Sequence, residues 1–98
     1  MVVYIAGPMT GVESYNREAF KAAEKKLKRQ GHDVLNPAML PIGMPDERYM
    51  PICIAMVEAA DAVYALSGWQ KSGGASVEVL YATRQGKVIM EERAKCAV

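Results

Sequence analysis

Histidine, tryptophan and phenylalanine occur once each in this chain, and cysteine only twice. The lone His32 has no second histidine nearby, and Cys53 and Cys96 lack metal-ligand spacing, so neither a metal centre nor a disulfide framework is expected. A surplus of one charge sign is missing too: twelve basic residues face eleven acidic ones, for a net charge of +1. With no arm or block of like charge, neither nucleic acid nor a membrane surface is indicated as a partner. Residues 21–29 are locally basic, but the charges fall at helical spacing and read as a solvated helix face. Long apolar runs are also absent. Met1 leads directly into a strand-like run without a basic leader, the pattern of neither a signal peptide nor a membrane span. Repeats and low-complexity tracts are lacking, and the default expectation is a reduced, cytoplasmic setting.

What is present suits one domain over residues 1–98, because a hydrophobic fraction of 51% suffices for a core. Residues 2–6 form a short apolar run closed by Gly7-Pro8, which reads as a strand buried on both faces. Over residues 15–30, Phe20, Ala23 and Leu27 recur at helical spacing, and Gly31 supplies a stop. Residues 33–36 read as a second strand, ended by Pro37. The Pro-, Gly- and Met-rich residues 38–45 read as a surface loop, long enough for a lid or a subunit contact. A helix then starts at Asp46, or at Pro51 as a first-turn proline, and ends at Ala60. Its expected buried stripe is Ile52, Met56 and Ala59 or Ala60. Residues 61–66 read as a third strand, with Asp61 as a cap or turn residue. A polar turn at 67–74, a helix at 75–85 and a strand at 88–90 complete the pattern.

Alternating strands and helices predict an α/β fold: a small parallel sheet with helices on both faces. Right-handed crossovers favour strand order 2-1-3-4. That order makes the loops after the first and third strands meet at a switch point, where ligands bind in this class.

The first of these loops is Gly7-Pro8-Met9-Thr10-Gly11. Two glycines after a buried strand can aim backbone N–H groups at a phosphate, although Gly-Pro also serves a plain tight turn. The second loop and its helix read Ser72-Gly73-Gly74-Ala75-Ser76-Val77-Glu78. Ser72 is placed to cap the helix, and the glycines open space for a ligand. Glu78 has two readings: a surface acid complementing the helix dipole, or a half-buried carboxylate serving as nucleophile or base. Trp69 either stacks on a nucleobase or packs as a lid over the sheet end. Tyr4 points along the first strand toward the crevice, where a buried hydroxyl needs a partner such as Glu78.

Tyr4-Ile5-Ala6-Gly7-Pro8, Ala60-Asp61-Ala62-Val63 and the Ser72-to-Glu78 stretch, in this order and spacing, resemble the nucleoside 2-deoxyribosyltransferase superfamily. That superfamily also contains deoxynucleoside 5'-monophosphate N-glycosidases. The likeness runs over residues 2–89 and is nearest to short bacterial and phage members, in which Gly68-Trp69 and the Gly-Ala-x-x-Glu stretch recur. It implies a flavodoxin-like, Rossmann-like sandwich that cleaves the bond between a nucleobase and deoxyribose without a cofactor or metal. Glu78 matches the nucleophile attacking C1' of the sugar, and Tyr4 the tyrosine orienting that carboxylate. Ser72 matches a serine at the 5'-phosphate, and residues 7–11 the loop lining sugar or phosphate.

This chain departs from the pattern where the superfamily usually carries an aspartate, a position that falls on Cys53. The first loop lacks the phosphate-binding arginine of the N-glycosidase branch, and the chain stops at Val98, short of a segment the family lends between subunits. The resemblance implies an enzyme acting on a deoxynucleoside or its monophosphate. These departures favour the alternative, a non-catalytic nucleotide-binding module of the same fold. A third reading, the lysine-decarboxylase-like phosphoribohydrolases, matches Gly-Gly-Ala-x-x-Glu only in part. Exposed sheet edges and the Met/Pro loop make a homodimer or larger homo-oligomer the expected assembly.

Overall fold

Five strand residues at the start of the chain alternate between two hydrophobic cores, and that alternation organises the molecule. A computed structural model describes residues 1–9 and 11–92; Thr10 and Cys96 lie outside them. Strand β1 (Val2–Ala6) pairs in parallel with β2 (Asp33–Leu35) on one side and β3 (Ala62–Ala65) on the other. Strand β4 (Val88–Glu91) extends the sheet beyond β3, so the order is β2-β1-β3-β4, as the pattern predicted.

Side chains of successive strand residues leave opposite faces. Val3 and Ile5 of β1 join Ala62 and Tyr64 of β3 against Phe20, Ala23 and Leu27 of helix α1 (Arg17–Arg29). Tyr4 and Ala6 join Val63 and Ala65 on the other face, against helices α2 (Asp46–Ala59) and α3 (Gly73–Arg84). One helix below and two above make the three-layer flavodoxin-like sandwich.

The starts of α1 and α3 differ from the sequence expectations, α3 beginning at Gly73 and not at Ala75, while α2 starts at Asp46 as one of the two readings had it. Helix α1 begins at Arg17, not at residue 15, because residues 13–16 form a short 3-10 turn. Ser14, Tyr15 and Asn16 there have φ of 52°, 54° and 60°, so the chain makes a left-handed turn before the helix can propagate. Asn16 anchors this turn by donating from Nδ2 to the Pro8 carbonyl at 2.9 Å. Helix α2 starts at Asp46 and carries Pro51 inside it, which removes one backbone donor without ending the helix.

Of the stripe expected for α2, Ala60 is buried as the C-cap and Met56 packs half-buried against the core, but Ile52 and Ala59 are exposed and Cys53 and Val57 are the buried helix residues. Ile52 is 38% exposed. The segment is apolar all round, so periodicity in its sequence could not select the face that packs.

Candidate active site

The loops after β1 and β3 meet at the carboxyl end of the sheet, and a cavity of about 520 Å³ opens beside them, within the range of small-molecule sites. Helix α3 delivers the central group. Its buried stripe is Ala75, Glu78, Val79 and Ala82, the i, i+3, i+4, i+7 pattern of a packed face. Glu78 stands within that stripe, only 6% exposed, and borders the cavity. A surface glutamate serving the helix dipole is thereby excluded. Ser72 is the N-cap: its hydroxyl accepts from the Ala75 N–H at 3.3 Å. The Ser76 hydroxyl donates to the Trp69 carbonyl at 3.2 Å and holds the preceding turn in place.

Tyr4 reaches the same cavity from β1. It is wholly buried, and its hydroxyl has no hydrogen-bond partner of normal geometry. Cys53 of α2, also buried, supplies the third polar group. These three side chains perturb one another's ionisation. Burial is the main cause of a rise in the Glu78 pKa to about 7, and the nearby Tyr4 and Cys53 donors pull it back in part. Burial likewise pushes the Cys53 thiol up to about 11. The Tyr4 phenol is raised well above its ordinary range, first by burial and then by the Glu78 charge. Near neutral pH, Cys53 and Tyr4 thus keep their protons as potential donors, and Glu78 is the group of the three that titrates.

The cavity brings most of the sequence candidates together and leaves a few out. Gly7, Met9, Ser72, Gly73 and Gly74 border it with Tyr4 and Glu78. Gly7 is required by a close approach of two strand ends, since a Cβ there would lie 2.8 Å from the Leu66 side chain. Pro8 and Gly11 belong to the turn behind the wall rather than to the wall itself. Trp69 is also absent from the lining. Its indole N–H donates to the Glu91 carboxylate at 2.9 Å, and its ring packs against the core around α3, so the packing reading replaces the stacking one.

The aromatic rings that do border the cavity are Tyr4, Tyr15 and Tyr49. Tyr49 also ties down the loop before α2: its hydroxyl donates to the Pro41 carbonyl and accepts from the Met44 N–H. Leu40, Ile42 and Met44 of that loop form an apolar wall of the cavity. Arg17 and Asp46 add one charge of each sign. Nothing in the sequence singled out Tyr15, Arg17, Asp46 or Tyr49, because their convergence depends on the turn before α1 and on where α2 begins. Cys53 is buried in the core as its apolar surroundings predicted, and it also borders the site, at the position where the resemblance places an aspartate. Among the described residues, no three His, Cys, Asp or Glu side chains are grouped to hold a metal ion. No described helix is long and apolar enough to cross a membrane.

Comparison with known proteins places this geometry in context. No curated protein matches the sequence. Among solved structures, the chain is similar to a 2-desoxiribosyltransferase from Leishmania mexicana, with a TM-score of 0.73 and 23% identity over 92% of this chain and 62% of that one. It is also similar to a 2-deoxyribosyltransferase from Bacillus psychrosaccharolyticus, with a TM-score of 0.71 and 20% identity over 93% of this chain and 71% of that one. The chain therefore spans less than two thirds of the length of the Leishmania enzyme, and at such identities the likeness establishes a shared fold. Residues 1–91 match the model of the family described as Domain of unknown function (DUF4406). This chain, whose sheet carries Tyr4 and whose third helix carries Glu78, belongs to the DUF4406 family.

Proposed function

We propose that residues 1–98 form a single nucleoside 2-deoxyribosyltransferase-like or deoxynucleotide N-glycosidase-like domain that cleaves the base–deoxyribose bond through Glu78. One observation carries the reading: a buried carboxyl with a pKa near 7 shares a nucleotide-sized cavity with a buried tyrosine hydroxyl that has no partner. An unpartnered buried hydroxyl costs about 1–3 kcal/mol, a cost that a bound ligand or the ionised Glu78 would offset.

In the proposed reaction the ionised Glu78 oxygen bonds to C1' as the C1'–N bond breaks. The bonding pair leaves with the base, which takes up a proton. Water or a second base then attacks C1' and frees the carboxylate, as in retaining glycosidases. Tyr4 orients Glu78, and Ser72, Gly73, Gly74 and the Gly7 loop cradle the sugar or phosphate. Asp46 borders the same cavity from a different helix, and the departing base takes its proton from solvent entering there. Because attack requires the carboxylate, kcat/KM should rise with pH through about 7.

The test is incubation with a panel of deoxynucleosides and their monophosphates, with released base followed by chromatography. Base release that disappears in Glu78→Ala supports the proposal. Absence of release from every substrate, or equal release by the variant, refutes catalysis through Glu78. Cys53 favours a second reading, a binding module without turnover, since a thiol with a pKa of about 11 stands where the resemblance places an aspartate. Calorimetry showing nucleotide binding without product would select it.

A further inference from the structure

A second, shallow groove of about 450 Å³ lies along the outer face of α1. Arg17 and Ala38 border both the groove and the cavity, so the two adjoin at these residues. Beyond Arg17 the groove is walled by Lys21, Lys25 and Lys28. Steps of four residues return to the same helix face and advance ~6 Å along the axis, so Arg17, Lys21 and Lys25 form a row leading away from the cavity mouth.

The acid in this groove is already engaged. Glu24 is held by Lys28 at 2.7 Å and by the Asn36 amide at 2.9 Å. Arg17, Lys21 and Lys25 have no acidic partner within ion-pair distance among the described residues. Lys26 points elsewhere, 5.4 Å from the centre of the Tyr64 ring. The basic stretch is thus divided, one part lying on the sheet's tyrosine and the other forming a row of unneutralised cations in a concavity.

We propose that this groove holds the 5'-polyphosphate of a nucleotide whose sugar and base occupy the cavity, with Arg17 at the junction and Lys21 and Lys25 beyond it. The inference rests on the proposed reading of the cavity as a nucleotide site. A monophosphate reaching the mouth would meet Arg17 and leave the two lysines unmatched. A longer phosphate chain places negative charge along the row, where flexible lysine stems can converge on it.

The test is calorimetry at low salt, without divalent metal, using a deoxynucleoside, its monophosphate, its triphosphate and a short single-stranded oligodeoxynucleotide. The proteins are wild type, the double variant K21A/K25A, and R29A, which removes a charge from the same helix outside the groove. The triphosphate should bind roughly tenfold more tightly than the monophosphate, a preference that shrinks with added salt. That ratio should fall toward one in K21A/K25A and persist in R29A. Equal binding of mono- and triphosphate, with the nucleoside still bound, overturns the groove alone. A triphosphate preference surviving in K21A/K25A also overturns it. An oligonucleotide that outcompetes the triphosphate through the same lysines would replace the polyphosphate with a phosphodiester strand. Failure of every nucleoside and nucleotide to bind removes the cavity reading itself, and this inference with it.

Discussion

Glu78 occupies a packed helix face where an apolar residue would cost nothing, and its proton records the strain of that placement. In the unfolded chain its proton leaves near the ordinary value of 4.5; in the folded chain it stays until about 7. Between those values the folded state binds the additional proton, so stability falls as pH rises through the window. Above about pH 7 the full cost of an ionised buried carboxyl is present. A rise from 4.5 to about 7 corresponds to about 3 kcal/mol. Glu78→Gln has no such titration. The stability of the variant relative to wild type should therefore increase by about 3 kcal/mol between pH 4.5 and pH 8, as read from denaturant unfolding of both proteins. If the difference is the same at both pH values, the carboxyl is solvated and the buried-nucleophile account fails. Tyr4 and Cys53 do not titrate in this window, since both hold their protons well beyond pH 8.

Among the secondary-structure elements, α3 governs the site because its start sets where Glu78 projects. Ser72 caps that start through the Ala75 N–H. Ser72→Ala should cost about 1 kcal/mol of stability, while Ser72→Gly, whose backbone still suits the cap, should cost only a few tenths. Equal losses in denaturant unfolding for the two variants would contradict a capping role. This segment was legible in sequence, since a serine, two glycines and a following apolar periodicity are all local signals. The β1 loop was legible for the same reason, and parallel topology followed from the alternation of short apolar runs with helices. The packed face of helix α2 was not. Its residues 51–60 are apolar on nearly every side, and only contact with Tyr4 and Val79 in the folded sheet selects Cys53 and Val57 over Ile52. The role of Trp69 was equally hidden, because its partner Glu91 lies 22 residues away on a strand whose register no local pattern reveals. Arg17 and Asp46 are helix-start residues that resemble many surface charges until the turn at residues 13–16 and the tied loop at 40–45 bring them to the cavity.

At the scale of the whole molecule, the sheet buries β3 and all of β1 but Val2, and leaves β2 and β4 as short, partly exposed edges. Large apolar side chains also remain at the surface: Met39 is 78% exposed, Leu80 55%, Val88 51% and Val77 49%. Val77 and Leu80 lie one turn apart on α3, and Val77 borders the cavity. Adjacent exposed apolar side chains are candidates for a contact that would cover them. A two-fold pairing through α3 would cover the same residues in both copies, and would place the second subunit at the rim of each cavity. Light scattering of the 98-residue chain should accordingly give at least twice the monomer mass of 10.7 kDa. Leu80→Glu puts a charge into such a contact without disturbing the core, because Leu80 is outside the buried stripe of α3. The variant should return the mass to that of the monomer while retaining the unfolding midpoint measured at low protein concentration. A wild-type mass of 10.7 kDa would show that each copy stands alone, and an assembly unchanged by Leu80→Glu would move the interface to the β2 or β4 edge.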